Sequence, residues 1–322
     1  MQTPLRFARR LRLSELPFRF VLGLLVLAVA ANYSLQPKFF QLSVLSGNLR
    51  THLPLMLLAA GQTLVILAGG IDLSVGAIVS LANVVAIRSL QANPDQIILA
   101  VALSLGAGVA AGALNGLCVA YGRLQPIVTT FASSFIIGGV AQAILPTPGG
   151  SIPAGLDRWY RSNPLSIPLT LWVAAALLGL WGLVRLTRYR RYLYAVGSDA
   201  QAAYVSGVPV ALVRLSSYLL AGGMAACAGL ALTLSTGTGD ALIGGPMTLG
   251  SIVAVVLGGT RLSGGAGGIA GSLMGVLVLG LIRSIISFAD VPLWWQTLAD
   301  SLIILAALAG PGLAGALRRR QP

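Results

Sequence analysis

The chain has 322 residues, 56% of them hydrophobic and only 9% charged, with a mean hydropathy of +0.87. Soluble globular chains carry about 25% charged residues, so this composition excludes a soluble protein and points to one embedded in a membrane. The net charge of +13 invites a nucleic-acid partner, which its distribution along the chain then excludes.

Crossing the hydrocarbon core takes about 20 apolar residues. Such runs lie at 18–35, 53–69, 75–90, 96–120, 127–145, 167–184, 212–235, 247–259, 268–287 and 293–309. They predict an all-α integral membrane protein of about ten transmembrane helices, forming a single transmembrane domain over residues 1–322. The third and eighth runs are short and Gly-rich. The first follows an Arg-rich start, and its Ala28-Val29-Ala30 resembles a signal-peptide cleavage site. Polytopic proteins usually keep such a span as an anchor, and it is read as one here.

After the second run, residues 67–77 read Leu-Ala-Gly-Gly-Ile-Asp-Leu-Ser-Val-Gly-Ala. After the eighth, residues 256–266 read Val-Leu-Gly-Gly-Thr-Arg-Leu-Ser-Gly-Gly-Ala. Both close an apolar run and read as related helix-breaking turns, one carrying Asp72 and the other Arg261. Duplicated Gly-interrupted segments in the two halves of a transporter point to its functional core. Gly108, Gly112 and Gly116, and again Gly267, Gly271 and Gly275, recur at every fourth position. That spacing puts small residues on one helix face and lets neighbouring backbones approach closely.

The bend at 146–167 holds Pro146, Pro148, Gly149, Gly150 and Pro153, which exclude a long helix. Arg158, Trp159 and Arg161 follow, residue types favoured in protein docking and equally common as interfacial anchors; they are the candidate outer docking residues.

Residues 185–214 break the apolar pattern with Arg185, Arg188, Arg190 and Arg191, then a short helix signal. Ser198-Asp199 can cap a helix start, residues 200–205 give about two turns, and Gly207 is placed to stop it. Ala202 and Ala203 are small enough for close docking. A capped helix joined to a span on either side is a handle by which another protein can move both. Its candidate coupling residues are Gly197, Asp199, Ala200, Ala202, Ala203 and Gly207.

With the N-terminus in the cytoplasm and sides alternating, fifteen arginines lie on inner segments, from Arg6 to Arg320. Only Lys38, Arg50, Arg88, Arg158, Arg161 and Arg283 fall outside. This is the positive-inside bias, and it places both termini in the cytoplasm. The basic charge is a topology signal, and no nucleic acid is expected.

Several chemistries drop out. Lys38, the only lysine, sits between Pro37 and Phe39, so there is no Gly-Lys phosphate loop. His52 is the only histidine, and Cys118 and Cys227 lie in different spans, so no zinc or iron–sulfur site assembles. No catalytic residue, metal or cofactor is expected. Glu15 precedes the first span and Asp300 is the only carboxylate clearly within one. Ion-coupled carriers rely on interior carboxylates, so their scarcity counts against that class; a membrane enzyme would show a cluster of reactive side chains, and none is found. Gln62, Thr63, Asn83, Asn115 and Gln142 are left to line a path for a neutral hydroxylated solute, with Gly70, Asp72 and Ser74 in the gating turn. Each is equally suited to bond one helix to another.

Gly69-Gly70-Ile71-Asp72-Leu73-Ser74-Val75-Gly76 resembles the signature of the ribose/xylose/galactose-type permeases of bacterial ATP-binding-cassette importers. Asn115-Gly116, Gln125-Pro126-Ile127-Val128-Thr129-Thr130, the segment from Tyr194 to Gly197 with Ala202, Ala203 and Gly207, and Val255-Val256-Leu257-Gly258-Gly259 agree in order across residues 50–310. The resemblance implies a permease subunit in the bacterial inner membrane that moves a monosaccharide inward by alternating access. It implies three partners: a second permease subunit, a cytoplasmic ATP-binding subunit and a periplasmic sugar-binding protein. In such a complex residues 200–207 would be the coupling helix that docks on the ATPase. Branched-chain amino-acid permeases share the general architecture and are the alternative; residues 70–74 favour the sugar branch.

Overall fold

The computed structural model describes residues 4–288, with side chains from residue 20 onward, and the isolated positions 298 and 302. The described chain forms twelve α-helices and one short 3-10 turn. In order they are α1 (Pro4–Leu35), α2 (Leu42–Leu67), α3 (Val75–Ala92), α4 (Ile97–Ala120), α5 (Pro126–Ile144), α6 (Leu156–Tyr160), the 3-10 turn Pro164–Ser166, α7 (Leu169–Leu186), α8 (Arg188–Ser198), α9 (Ala200–Val205), α10 (Val210–Thr236), α11 (Met247–Leu257) and α12 (Ile269–Phe288). No strand forms among the described residues; a single antiparallel bridge joins Gly149 to Gly239.

Seven helices (α2, α3, α4, α5, α7, α10 and α12) are long and apolar enough to cross a membrane. The chain is therefore a multi-pass helical membrane protein. The apolar part of α1, Phe20–Leu35, and α11 are shorter, and the expected run 293–309 lies outside the described residues. At 1.5 Å per residue, the 11 residues of α11 cover about 16 Å, half of a core about 30 Å thick. The run expected at 247–259 is thus a half-helix.

The second run begins earlier than its hydropathy predicts. Helix α2 runs from Leu42 straight through Pro54. Arg50 and His52, expected in an outer loop, are helical. A proline removes the N–H that would bond four residues back, which leaves the Arg50 carbonyl open. The Tyr160 hydroxyl donates to that carbonyl at 3.4 Å.

Helices α2, α3 and α10 make the centre of the bundle, with α4 against α10 and α3, α5 against α3, and α11 and α12 against α2. Within its most apolar stretch α2 is 78% buried, whereas α7 is only 17% buried and presents its surface outward. The glycine stripe of α4 faces α10. A methyl group on Gly112 would stand 3.2 Å from the Gly222 Cα, so the two backbones meet with nothing between them. Gly271 and Gly275 do the same for α12 against Gly258 and Ala254 at the end of α11.

The loop from α10 to α11 is held by α3. The Asn83 amide donates to Thr233 Oγ1 at 2.8 Å and to the Thr238 carbonyl at 3.2 Å, and its oxygen accepts from the Asp240 N–H at 2.8 Å. One turn back, Ser80 Oγ accepts from the Gly244 N–H at 2.9 Å. Irregular backbone at membrane depth is tolerated only where protein satisfies it in this way.

Candidate functional site

Between α2 and α3 the chain breaks into a turn at residues 68–74 whose polar groups are bonded from α2, α4 and α5, with α10 packed against it. Asp72 is fully buried. Its Oδ1 accepts from the Ser74 N–H at 2.8 Å and from the Ser74 hydroxyl at 2.6 Å. That hydroxyl accepts in turn from the Asn115 amide of α4 at 2.7 Å. On the α2 side, the Gln62 amide faces the Asp72 peptide, its nitrogen toward the carbonyl and its oxygen toward the N–H, each at 3.3 Å, in the orientation hydrogen bonding demands. On the α5 side, Thr130 Oγ1 accepts from the Leu73 N–H at 3.0 Å. From α10, the Tyr218 hydroxyl reaches Gly70, within 2.7 Å of where a Cβ would stand.

Three atoms of this cluster are buried with no partner among the described residues: Asp72 Oδ2, Asn115 Oδ1 and the Tyr218 hydroxyl. Each unmade bond costs about 1–3 kcal/mol. The turn is gripped from several sides yet left with bonding capacity.

The sequence duplication is a structural one. After Leu67, the Gly69 N–H bonds to Ile66 and the Gly70 N–H to Val65; after Leu257, the Gly259 N–H bonds to Val256 and the Thr260 N–H to Val255. Gly69 and Gly259 have φ of +82° and +84°, the left-handed residue with which such helix ends close. The match differs from the one the letters suggest: the Gly-Gly pairs align 69 with 258, but the backbone pairs 69 with 259.

The two turns meet at the 185–214 loop. The Gly265 N–H donates to the Leu67 carbonyl at 3.2 Å, and Gly197 at the end of α8 lies against both. A Cβ on Gly197 would overlap the Leu67 carbonyl and stand 2.6 Å from the Gly265 nitrogen. The Tyr194 hydroxyl adds a hydrogen bond to the Gly267 carbonyl. Asp199 Oδ1 then caps α9, accepting from the N–H groups of Gln201 and Ala202 at 2.9 Å each, and Gly207 with φ +81° follows its end. The expected helix at 200–205, its cap and the glycine beyond it are all present. The alanines divide: Ala203 is 5% exposed and packs with Leu193, Val196 and Leu67 in the protein's own core, whereas Ala202 is exposed. Tyr204 and Val205, 73% and 81% exposed, stand beside it on the outer face, and sequence reasoning missed both.

At the opposite end, Arg158, Trp159 and Arg161 are all exposed while Tyr160 is buried. Burial pushes the Tyr160 phenol up to about 12 against the opposing pull of Arg50, so it stays a neutral donor. Arg50 Nη1 donates to the Arg161 carbonyl at 2.8 Å. Helix α6 is thereby fixed to α2 at two points.

Of the residues expected on a path or turn, Gln62, Gly70, Asp72, Ser74 and Asn115 converge. Thr63 bonds instead to Ser272 of α12 at 2.7 Å, Asn83 holds the α10–α11 loop, and Gln142 is exposed on α5. All but Gln142 are buried, so they pack closed in this conformation. Thr130 and Tyr218 complete the cluster. Thr130 stands in a quoted motif, but nothing in the sequence marks Tyr218.

Buried polar turns at broken helices, a duplicated helix–turn unit and a capped surface helix define a multi-pass transport permease. The chain belongs to the family described as branched-chain amino acid transport system / permease component, which it matches over residues 44–308. It is 34% identical over 296 residues to the ribose import permease protein of Escherichia coli (strain K12), covering 89% of this chain and 91% of that one. The ribose import permease protein of Bacillus subtilis (strain 168) is 34% identical over 291 residues, covering 89% and 90%. The fructose import permease protein of Bifidobacterium longum (strain NCC 2705) is 32% identical over 294 residues, covering 87% and 86%. No solved structure matches the chain. The relatives are permease subunits, and the chain is a transport component, not an enzyme.

Proposed function

We propose that this permease imports a monosaccharide across the bacterial inner membrane, driven by a separate ATP-binding subunit and fed by a periplasmic sugar-binding protein, with a second permease subunit completing the pathway and both termini in the cytoplasm. The observation that carries the reading is the meeting of the 188–207 segment with both broken-helix turns through Gly197. A push on α9 would pass through α8 and Gly197 to the Leu67–Gly69 end of the turn that carries Asp72, which is how hydrolysis elsewhere can gate a bundle that lacks a phosphate loop of its own. The exposed Gln201, Ala202, Tyr204 and Val205 supply the docking face for the ATPase, and Gly197, Asp199, Ala200, Ala203 and Gly207 shape and seat it. Gly70, Asp72, Ser74, Gln62 and Asn115 form the gate; Thr63 and Asn83 brace the helices beside it. Arg158, Trp159 and Arg161 offer the outer surface to a binding protein with carboxylates on its rim. The names of the relatives, ribose and fructose import permeases, support the sugar class.

The test is transport by proteoliposomes. With the ATPase subunit and the sugar-binding protein present, labelled ribose or fructose should accumulate only with ATP. The chain alone should neither hydrolyse ATP nor take up sugar. ATPase activity of the isolated chain, or uptake driven by an ion gradient without the ATPase, would overturn the reading.

A further inference from the structure

A second place in the molecule has the makings of a solute site. An open cavity of about 510 Å³ lies between α2, the start of α11 and the later half of α12. Two polar stripes face each other across it. Asn48, Thr51 and His52 come from α2 at spacings of three and four, and Arg283, Ser284 and Ser287 from α12 at the same spacings, so each set occupies one helix face. Met247 and Phe288 add apolar wall, and no carboxylate lines the cavity among the described residues. None of this belongs to the buried turn cluster.

Local packing shows that the site is built. A Cβ on Gly280 would stand within 2.7 Å of the His52 ring and overlap part of it, so glycine one turn before Ser284 is what lets the imidazole lie over α12. The Asn48 amide nitrogen is buried without an acceptor among the described residues. A buried donor left open in a polar cavity calls for a ligand or an ordered water. The hydroxyls of Thr51, Ser284 and Ser287 can each donate and accept, while Asn48 and neutral His52 have one group of each kind. Sugar hydroxyls need this mixture. A polar set of this size with an apolar flank is the usual form of a small-molecule pocket.

We infer that this cavity is a monosaccharide-binding site of the permease itself, resting on the sugar-import reading above, so that the chain selects among sugars after the binding protein has released them. The contacts would be made by hydroxyl recognition through Asn48, Thr51, His52, Ser284 and Ser287.

The test needs no partner. In full-length protein carrying C118A and C227A, M247C supplies one thiol on the apolar wall of the cavity, leaving the polar contacts intact, and its rate of maleimide labelling is followed in detergent with D-ribose or D-fructose. Occupancy slows labelling by 1 + [L]/Kd, about 3-fold at twice the Kd. We expect sugar to protect and N48A or H52A to abolish protection; should H52A fail to fold, N48A and T51V in folded protein still decide. No protection by any monosaccharide at concentrations that saturate import, or protection by inorganic phosphate and not by sugar, would overturn the site. ATP-dependent import without protection would remove this site and leave the import reading intact. Protection without ATP-dependent import would do the reverse.

Discussion

Replacing Gly197 by alanine tests the junction on which the proposed coupling depends. The added methyl would stand 2.6 Å from the Gly265 nitrogen and nearer still to the Leu67 carbonyl oxygen. Both obstacles are backbone, in turns fixed by the Gly265–Leu67 and Gly70–Val65 hydrogen bonds, so no side chain can rotate away. Relief requires α8 to lift off the turns by about an ångström. Overpacking of this kind costs about 1–3 kcal/mol, which weights the docked arrangement down by about 5- to 150-fold. The outward face of α9 is untouched, so membrane insertion and co-purification of the ATPase should stay at wild-type levels. Import should fall within that range, and stimulation of ATP hydrolysis by the loaded binding protein should fall with it.

The control is Gly223→Ala on α10, where the nearest atom to the new methyl is Val109 Cγ2 at 3.6 Å, an ordinary contact. It should transport normally, because alanine is the better helix former by about 0.5–1 kcal/mol. Wild-type import by Gly197→Ala would show that contact at Gly197 carries no coupling, and the proposed route would be abandoned.

Ala202→Arg should leave the permease stable and well inserted while the ATPase no longer co-purifies, whereas Ala203→Arg should unfold α9 and lower yield, because its methyl is in the core; identical behaviour of the two would contradict the assigned faces. Asp72→Ala strips the Ser74 N–H and hydroxyl of their acceptor and should lower stability in detergent by about 1–3 kcal/mol, with Asp72→Asn, which keeps an oxygen there, costing less; equal losses would show that Oδ1 is not what matters. Tyr160→Phe should cost about 0.5–1.5 kcal/mol in the native background but almost nothing in Pro54→Ala, where residue 54 regains an N–H for the Arg50 carbonyl. An unchanged cost in thermal unfolding of the double variant would refute that account of how α2 tolerates Pro54.

Seven of the ten expected spans were legible because lipid demands long apolar runs, and so was α9, because Asp199 and Gly207 act locally. Helix α8 was not. Arg188, Arg190 and Arg191 read as a basic topology loop, although Leu193, Val196 and Gly197 sit three to four apart and are its buried residues. The start of α2 was missed because Asn48, Arg50, Thr51 and His52 interrupt the apolar run, and only the distant Tyr160 explains how the helix tolerates Pro54 inside. The duplicated turn was visible but one residue out of register, since what the halves share is a left-handed glycine after a helix end, not a Gly-Gly pair. Convergence of Gln62, Asp72, Ser74 and Asn115, and the separation of Thr63 and Asn83 from them, depend on how four helices pack; spacing in the sequence carries no such information.

Helix α2 connects these pieces. Its 26 residues span about 39 Å at 1.5 Å each, and it is held at both ends. Near the outer end Arg50 is bonded through its side chain to Arg161 and through its carbonyl to Tyr160. At the inner end the Leu67 carbonyl accepts from Gly265 and abuts Gly197, and between them Gln62 faces the Asp72 peptide. The Leu67 end is held by backbone and through glycine, which leaves little slack for a displacement to be lost in side-chain rotation, while α6 is held to α2 by the side chains of Arg50 and Tyr160. Movement of α9 would therefore shift α2 and helix α6 together, and the binding protein would meet a surface whose position reports the state of the ATPase. Linkage makes the effect reciprocal in binding free energy: variants that loosen α6, such as Arg50→Ala, which removes one of its two bonds to α2, should weaken the influence of the binding protein on nucleotide affinity without altering the α9 interface. Full retention of that influence in Arg50→Ala would mean that the two faces communicate through another helix.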